Sequence, residues 1–153
     1  MRAIAVVLAA VMAALAPQSA SAAAGSAQVL AQQILKRLDD FNAGKNPGGF
    51  EQFCADFCDA EFEHLVDHAN EKEGVLDYDP FCQCQDVGGT YKIKSVTRLS
   101  ADEYQVRMID VRSHTDPWDF VLRPTKQGWK VYDLIETDKN GEGSLRRRLI
   151  SPD

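Results

Sequence analysis

Four cysteines, the only ones in the chain, stand in two tight pairs, Cys54-x-x-x-Cys58 and Cys82-x-Cys84. Whether such pairs bond depends on where the protein resides, and the N-terminus speaks to that. Met1-Arg2 supplies one positive charge, residues 3 to 16 form an apolar run rich in Ala, Val and Leu, and Pro17 breaks it. Ala20-Ser21-Ala22 offers the small residues that a signal peptidase needs. The segment therefore reads as a secretory signal, too short and wrongly flanked for a transmembrane helix. Cleavage near Ala22 leaves residues 23–153 as a single exported domain, periplasmic in a bacterium or secreted, with no stable membrane insertion. No Cys follows the run to carry a lipid anchor. Export makes disulfides the default state of paired cysteines.

The spacing suggests which sulfurs meet. On a continuous helix Cys54 and Cys58 point to one side, about 6 Å apart along the axis. In an extended loop Cys82 and Cys84 also share a side, about 6.6 Å apart. The two distances match, so a loop returning antiparallel along the helix predicts Cys58–Cys82 and Cys54–Cys84. Bonding within a pair is disfavoured on these premises, because a disulfide brings its Cβ atoms to roughly 4 Å. Closing the loop between Cys58 and Cys82 should stabilise the fold by about 3.5 kcal/mol in the chain-entropy model. Four thiolates can also bind zinc, but structural zinc sites favour a two-residue spacer, and the spacers here are three and one. A redox pair would more often be Cys-x-x-Cys at a helix start. The cysteines therefore read as structural, with no metal and no cofactor.

Charge is unevenly spread. The chain has a net charge of −6, made one unit more negative by loss of Arg2. Residues 51–86 hold eleven acids and one base, Lys72, whereas residues 87–153 hold ten acids and twelve bases. Nucleic acid is excluded as a partner because phosphate binding needs a basic surface. An envelope protein contacting the acidic region 51–86 is compatible with this distribution.

The hydrophobic pattern gives an α+β fold: two N-terminal helices packed on a curved four-stranded antiparallel meander, then a short C-terminal helix. Ser26 is positioned to cap a first helix with the stripe Leu30, Ile34, Leu38 and Phe41, and Gly44 stops it. A second helix is expected over 50–70, with Phe57, Cys58, Phe62, Leu65 and Ala69 at helical spacing. Residues 71–90 read as a loop. Strands are expected at 91–99, 104–112, 118–123 and 129–136, separated by short polar turns. Ser144 then caps a helix over 145–150.

The stretch Leu76-Asp77-Tyr78-Asp79-Pro80-Phe81-Cys82-Gln83-Cys84-Gln85-Asp86 resembles a signature of an uncharacterised family of bacterial exported proteins and lipoproteins. Gly128-Trp129-Lys130-Val131-Tyr132-Asp133-Leu134 and Ser144-Leu145-Arg146 also look like that family. The resemblance covers residues 27 to 150 and implies a cone-like sheet wrapped around helices, similar to the ketosteroid-isomerase-like fold. It implies no activity, because the family's own function is unassigned.

A cone encloses a pocket, and alternation suggests what lines it. Tyr104, Val106, Met108, Asp110 and Arg112 share one face of the second strand, and Trp129, Val131, Asp133 and Ile135 share one face of the fourth. Tyr104, Met108 and Trp129 are candidate pocket residues. Asp110 and Asp133 are candidate acid–base groups, since an apolar surrounding raises a carboxylate's pKa. Ketosteroid isomerase uses two aspartates on such a scaffold, but fold analogy alone does not carry function. The rim alternative has both aspartates bonded to turns or paired with a neighbouring base. His64 and His68 have the i, i+4 spacing of a two-histidine metal edge, with Glu61 as a third candidate, though surface histidines have that spacing too. His114 lies beside a turn. Arg146-Arg147-Arg148 fan around a helix axis, so they cannot all face one partner; they are solvated or pair with the acidic half. Two functions follow: a non-catalytic exported binding or accessory module, of which immunity- or inhibitor-type proteins are examples, or a small-molecule binder or enzyme using Asp110 or Asp133.

Overall fold

A computed structural model describes residues 16–45, 49–71, 76, 78–84, 89–112, 116–138 and 141–151. Most of the expected signal segment, His114, Gln85 and Asp86 lie outside these residues. The fold is α+β. Three helices, α1 (Ala16–Asn42), α2 (Gly49–Phe57) and α3 (Ala60–Asn70), precede five strands. These are β1 (Tyr91–Ser100), β2 (Glu103–Asp110), β3 (Trp118–Thr125), β4 (Gly128–Asp138) and β5 (Gly141–Ser144), and helix α4 (Leu145–Ile150) follows. The strands form one open, curved antiparallel sheet in the order β1-β2-β3-β4-β5. Among the described residues no helix is long and apolar enough to cross a membrane.

Helix α1 buries Ala27, Leu30, Ala31, Ile34 and Leu38, the three- and four-residue spacing of a single packed stripe. It ends as expected at Gly44, whose φ of 67° is costly for a residue with a Cβ. Gly44 N–H donates to Phe41 O and Lys45 N–H to Asp40 O, so carbonyls of the last turn are satisfied. Ser26 lies inside the helix instead of capping it, because the helix extends back to Ala16.

The expected single helix over 50–70 is two helices. Asp59 adopts an extended backbone and its side chain accepts from the amides of Glu61 and Phe62, which starts α3 afresh. Cys58, just past α2, forms an isolated parallel bridge to Val131, and Asp59 N–H donates to Val131 O at 2.9 Å. The break thus takes up backbone groups of β4 that no strand covers.

One face of the sheet carries the core. Cross-strand pairing aligns Tyr104, Val106 and Met108 with Leu122, Phe120 and Trp118, and aligns Phe120 with Leu134 and Leu122 with Val131. All eight side chains are buried. Phe53 of α2 stacks on Phe81 at 4.2 Å between ring centres, and Phe81 lies parallel to Phe120 at 6.2 Å. The disulfide-bearing turn is in this way packed between α2 and the sheet.

Within β4, alternation fails at one position. Val121 pairs with Asp133 and Leu122 with Val131, so Tyr132 is an extra residue and a β-bulge. Beyond it every side chain changes face. Trp129 and Val131 remain on the core side, whereas Asp133 and Ile135 point to the other, and Leu134 and Glu136 take their place. The expected shared face of Trp129, Val131, Asp133 and Ile135 is therefore split. The sheet also has five strands instead of four, because Gly141–Ser144 pairs with Ile135–Asp138.

The cysteines bond within their pairs, Cys54–Cys58 and Cys82–Cys84, not across them as the spacing suggested. Both premises of the cross-pairing change. Cys58 lies beyond the end of α2, and its Cα is 4.7 Å from that of Cys54. Gln83 has a φ of 54°, so Cys82-Gln83-Cys84 is a tight turn with a Cα separation of 5.2 Å, not an extended run. The turn is built by Asp79, whose Oδ1 accepts from Phe81 N–H at 2.8 Å and Cys82 N–H at 3.4 Å.

Candidate functional site

The strongest concentration of buried charge lies where α3, β4 and α4 meet. Arg146 is only 5% exposed. Its Nη1 donates to Tyr132 O at 2.8 Å and pairs with Asp59 at 3.2 Å, and its Nη2 pairs with Glu61. The guanidinium carbon also lies 4.1 Å from the centre of the Tyr132 ring. Arg123 stacks on that ring too, at 3.5 Å, while pairing with Glu103. Because a bulge holds Tyr132, a chain of alternating charges and one ring runs across β2, β3 and β4 to α3. A buried guanidinium demands this many partners, since its charge is costly to desolvate alone.

Asp133 anchors the same junction. It is 7% exposed, and its oxygens accept from Ser144 Oγ at 2.6 Å, Arg146 N–H at 2.9 Å and its neighbour Leu134 N–H at 2.8 Å. Ser144 Oγ in turn accepts from Arg147 N–H, which makes it the cap of α4 as the sequence indicated. Asp133 thus orients a helix start, and each oxygen already has a donor.

Asp110 sits at the end of β2, half-buried. Its Oδ1 accepts from the amides of Thr90 and Arg112, both at 2.9 Å, and so closes a turn. Alternation along β2 puts Asp110 on the core side of the sheet, whereas the bulge puts Asp133 on the opposite side. The two candidate acid–base groups do not converge. Tyr104 and Met108 are packed core residues, and Trp129 is half-buried with its ring set edge-on to Tyr104 at 5.2 Å. These three belong to the packing of the sheet.

A second polar cluster holds the disulfide turn. Glu136, 8% exposed, accepts from the Tyr78 hydroxyl, from Gln83 Nε2 at 3.0 Å, and pairs with Arg148 at 2.9 Å. The Tyr78 hydroxyl also accepts from Arg148 at 2.9 Å. Burial, and then the neighbouring Glu136 carboxylate, push the Tyr78 pKa well above its ordinary value, so the phenol remains a donor. The arginine triplet is therefore divided: Arg146 inward to Asp59 and Glu61, Arg148 to Glu136 and Tyr78, and Arg147 exposed. Nothing in the local sequence marks Arg146 as buried, apart from its position after the Ser144 cap and beside Leu145.

The histidines lie on the solvent-exposed face of α3. His64 and His68 are exposed, with ring centres 6.4 Å apart, and His68 Nδ1 is 3.7 Å from Glu71. Glu61 is drawn to Arg146 and does not join them. An open groove of about 400 Å³ runs between α1 and α2, lined by Gln33, Lys36, Arg37, Asp40, Asp56 and Phe57. Its charges are paired, Arg37 with Asp56 across it at 3.1 Å and Lys36 with Asp40 along α1. No family model matches the chain, and no curated protein or solved structure matches it.

Proposed function

We propose that the protein is a non-catalytic exported binding or accessory module, of the immunity or inhibitor kind, that presents its acidic region to an envelope protein. The observation that carries this reading is the division of the acids on and around α3. Asp59, Glu61 and Glu136 are spent on Arg146 and Arg148, within the molecule. Asp67 on α3 and Glu71 at its C-terminal cap face solvent, and no arginine or lysine is paired with either among the described ion pairs. A folded scaffold with an uncompensated acidic helix face attracts a basic partner and sets its orientation. The commitment of Asp110 and Asp133 to backbone amides favours this reading over acid–base chemistry. The loop that resembles the exported family is held to β4 through Glu136.

The test is in-situ crosslinking of the exported protein in its own envelope, with and without charge reversal at Asp67→Lys and Glu71→Lys. A single stoichiometric partner that is lost on reversal supports the proposal. No crosslinked partner, or one equally retained by the reversed protein, counts against it.

A further inference from the structure

We propose that the solvent face of α3 is a two-histidine chelate for a late first-row divalent cation, with Zn²⁺ as the reference ion. An α-helix places residues i and i+4 one above the other. His64 and His68 use that spacing on an eleven-residue helix anchored at its start by the Asp59 cap and by Arg146. Their ring centres are 6.4 Å apart. Zinc–nitrogen bonds of about 2.0–2.1 Å would draw two ring centres to roughly 5 Å. The rings are exposed, so a small rotamer adjustment closes the difference without disturbing any packing.

Glu71 stands beside one of the two rings. Its Oε2 lies 3.7 Å from His68 Nδ1. That is longer than a hydrogen bond, but a carboxylate on the Nδ1 side leaves Nε2 as the nitrogen open to a metal. Asp67, exposed between the two histidines, adds negative charge to the same surface. Among the described residues no group of three or more His, Cys, Asp or Glu side chains already converges on one point. The protein therefore contributes two nitrogens, and water completes the coordination. Such a site is open, and a partner's side chain can enter it as a further ligand. Binding of the ion alone does not depend on the envelope partner proposed above.

The experiment is isothermal titration of the mature exported chain with Zn²⁺ alone, beside His64→Ala, His68→Ala and His114→Ala. Both α3 positions are exposed, and far-UV circular dichroism will confirm that the variants fold. Losing a ligand should cost at least as much as losing an outer-sphere partner, about 10- to 100-fold in affinity. The expected result is one Zn²⁺ per chain, weakened at least tenfold by either α3 substitution and unchanged by His114→Ala. Absence of saturable binding, or affinity in His64→Ala and His68→Ala equal to that of the unsubstituted chain, would overturn the proposal.

Discussion

At one margin of the sheet, β4 has its outer backbone groups taken up in two parts, by β5 along Ile135–Asp138 and by the Cys58–Asp59 break at Val131. Arg146 seals that margin with Asp59, Glu61 and the Tyr132 carbonyl. At the other margin β1 runs for ten residues with no further strand beside it among the described residues. It carries Lys92, Lys94 and Arg98, all exposed, and its register with β2 shifts twice. A covered margin needs buried charges to meet one another. An uncovered margin needs charges that keep other strands away, together with bulges that spoil a flat template. Cations therefore do opposite work at the two sides: Arg146 binds elements together, and the β1 lysines keep a surface unpaired.

That contrast is open to attack by substitution. Arg146→Met keeps volume and removes the charge, leaving Asp59 and the Tyr132 carbonyl without their partner. Breaking a buried pair from one side costs about 3–5 kcal/mol, and the exposure of Glu61 puts this case at the lower end, about 3 kcal/mol. Urea denaturation should show the loss as a lower midpoint with an unchanged slope. Asp133→Ala should cost about 2 kcal/mol, because it strips acceptors from a buried amide and a hydroxyl. Hydrogen exchange at residues 144–147 should accelerate more than exchange in β2.

Asp79 offers a smaller effect with a definite sign. Burial raises its pKa, although the amides of Phe81 and Cys82 partly offset this. Above the ordinary carboxylate range the unfolded chain has lost a proton that the folded protein still holds, so this group's contribution to stability falls as pH rises through that window. Asp79→Asn retains the acceptor oxygen and should flatten that part of the stability–pH curve, as read from thermal midpoints between acid and neutral pH. Smallest of all, Lys94→Met on β1 should change stability by less than about 0.5 kcal/mol. Its signature is self-association, read by sedimentation velocity, as a guarding charge leaves the edge.

Much of this architecture is written locally and is readable as such. The stripe of α1, the Gly44 stop, the Ser144 cap and the first four strands depend on neighbours a few residues away. What is not readable depends on distant ones. The break at Cys58–Asp59 exists because β4 needs a partner at Val131, although Asp59 ahead of Ala60-Glu61 is a visible cap signal. The bulge at Tyr132 reverses the face of Asp133, and one residue of slip is enough to separate it from Asp110. Gly141–Ser144 has poor strand propensity and becomes a strand only by pairing with the extension of β4. The disulfide expectation fails for the same reason, since it assumes a continuous helix and an extended loop where the chain has a helix end and a left-handed residue. The burial of Arg146 among three consecutive arginines is likewise set by Asp59, far away in sequence.

The central claim is that Arg146 ties the C-terminal helix to the α2–α3 break. A double-mutant cycle between Arg146→Met and Asp59→Asn, measured by urea denaturation, addresses it most directly. A coupling energy above about 1 kcal/mol is predicted, as for groups in one buried network, whereas effects that add within about 0.5 kcal/mol would contradict the claim.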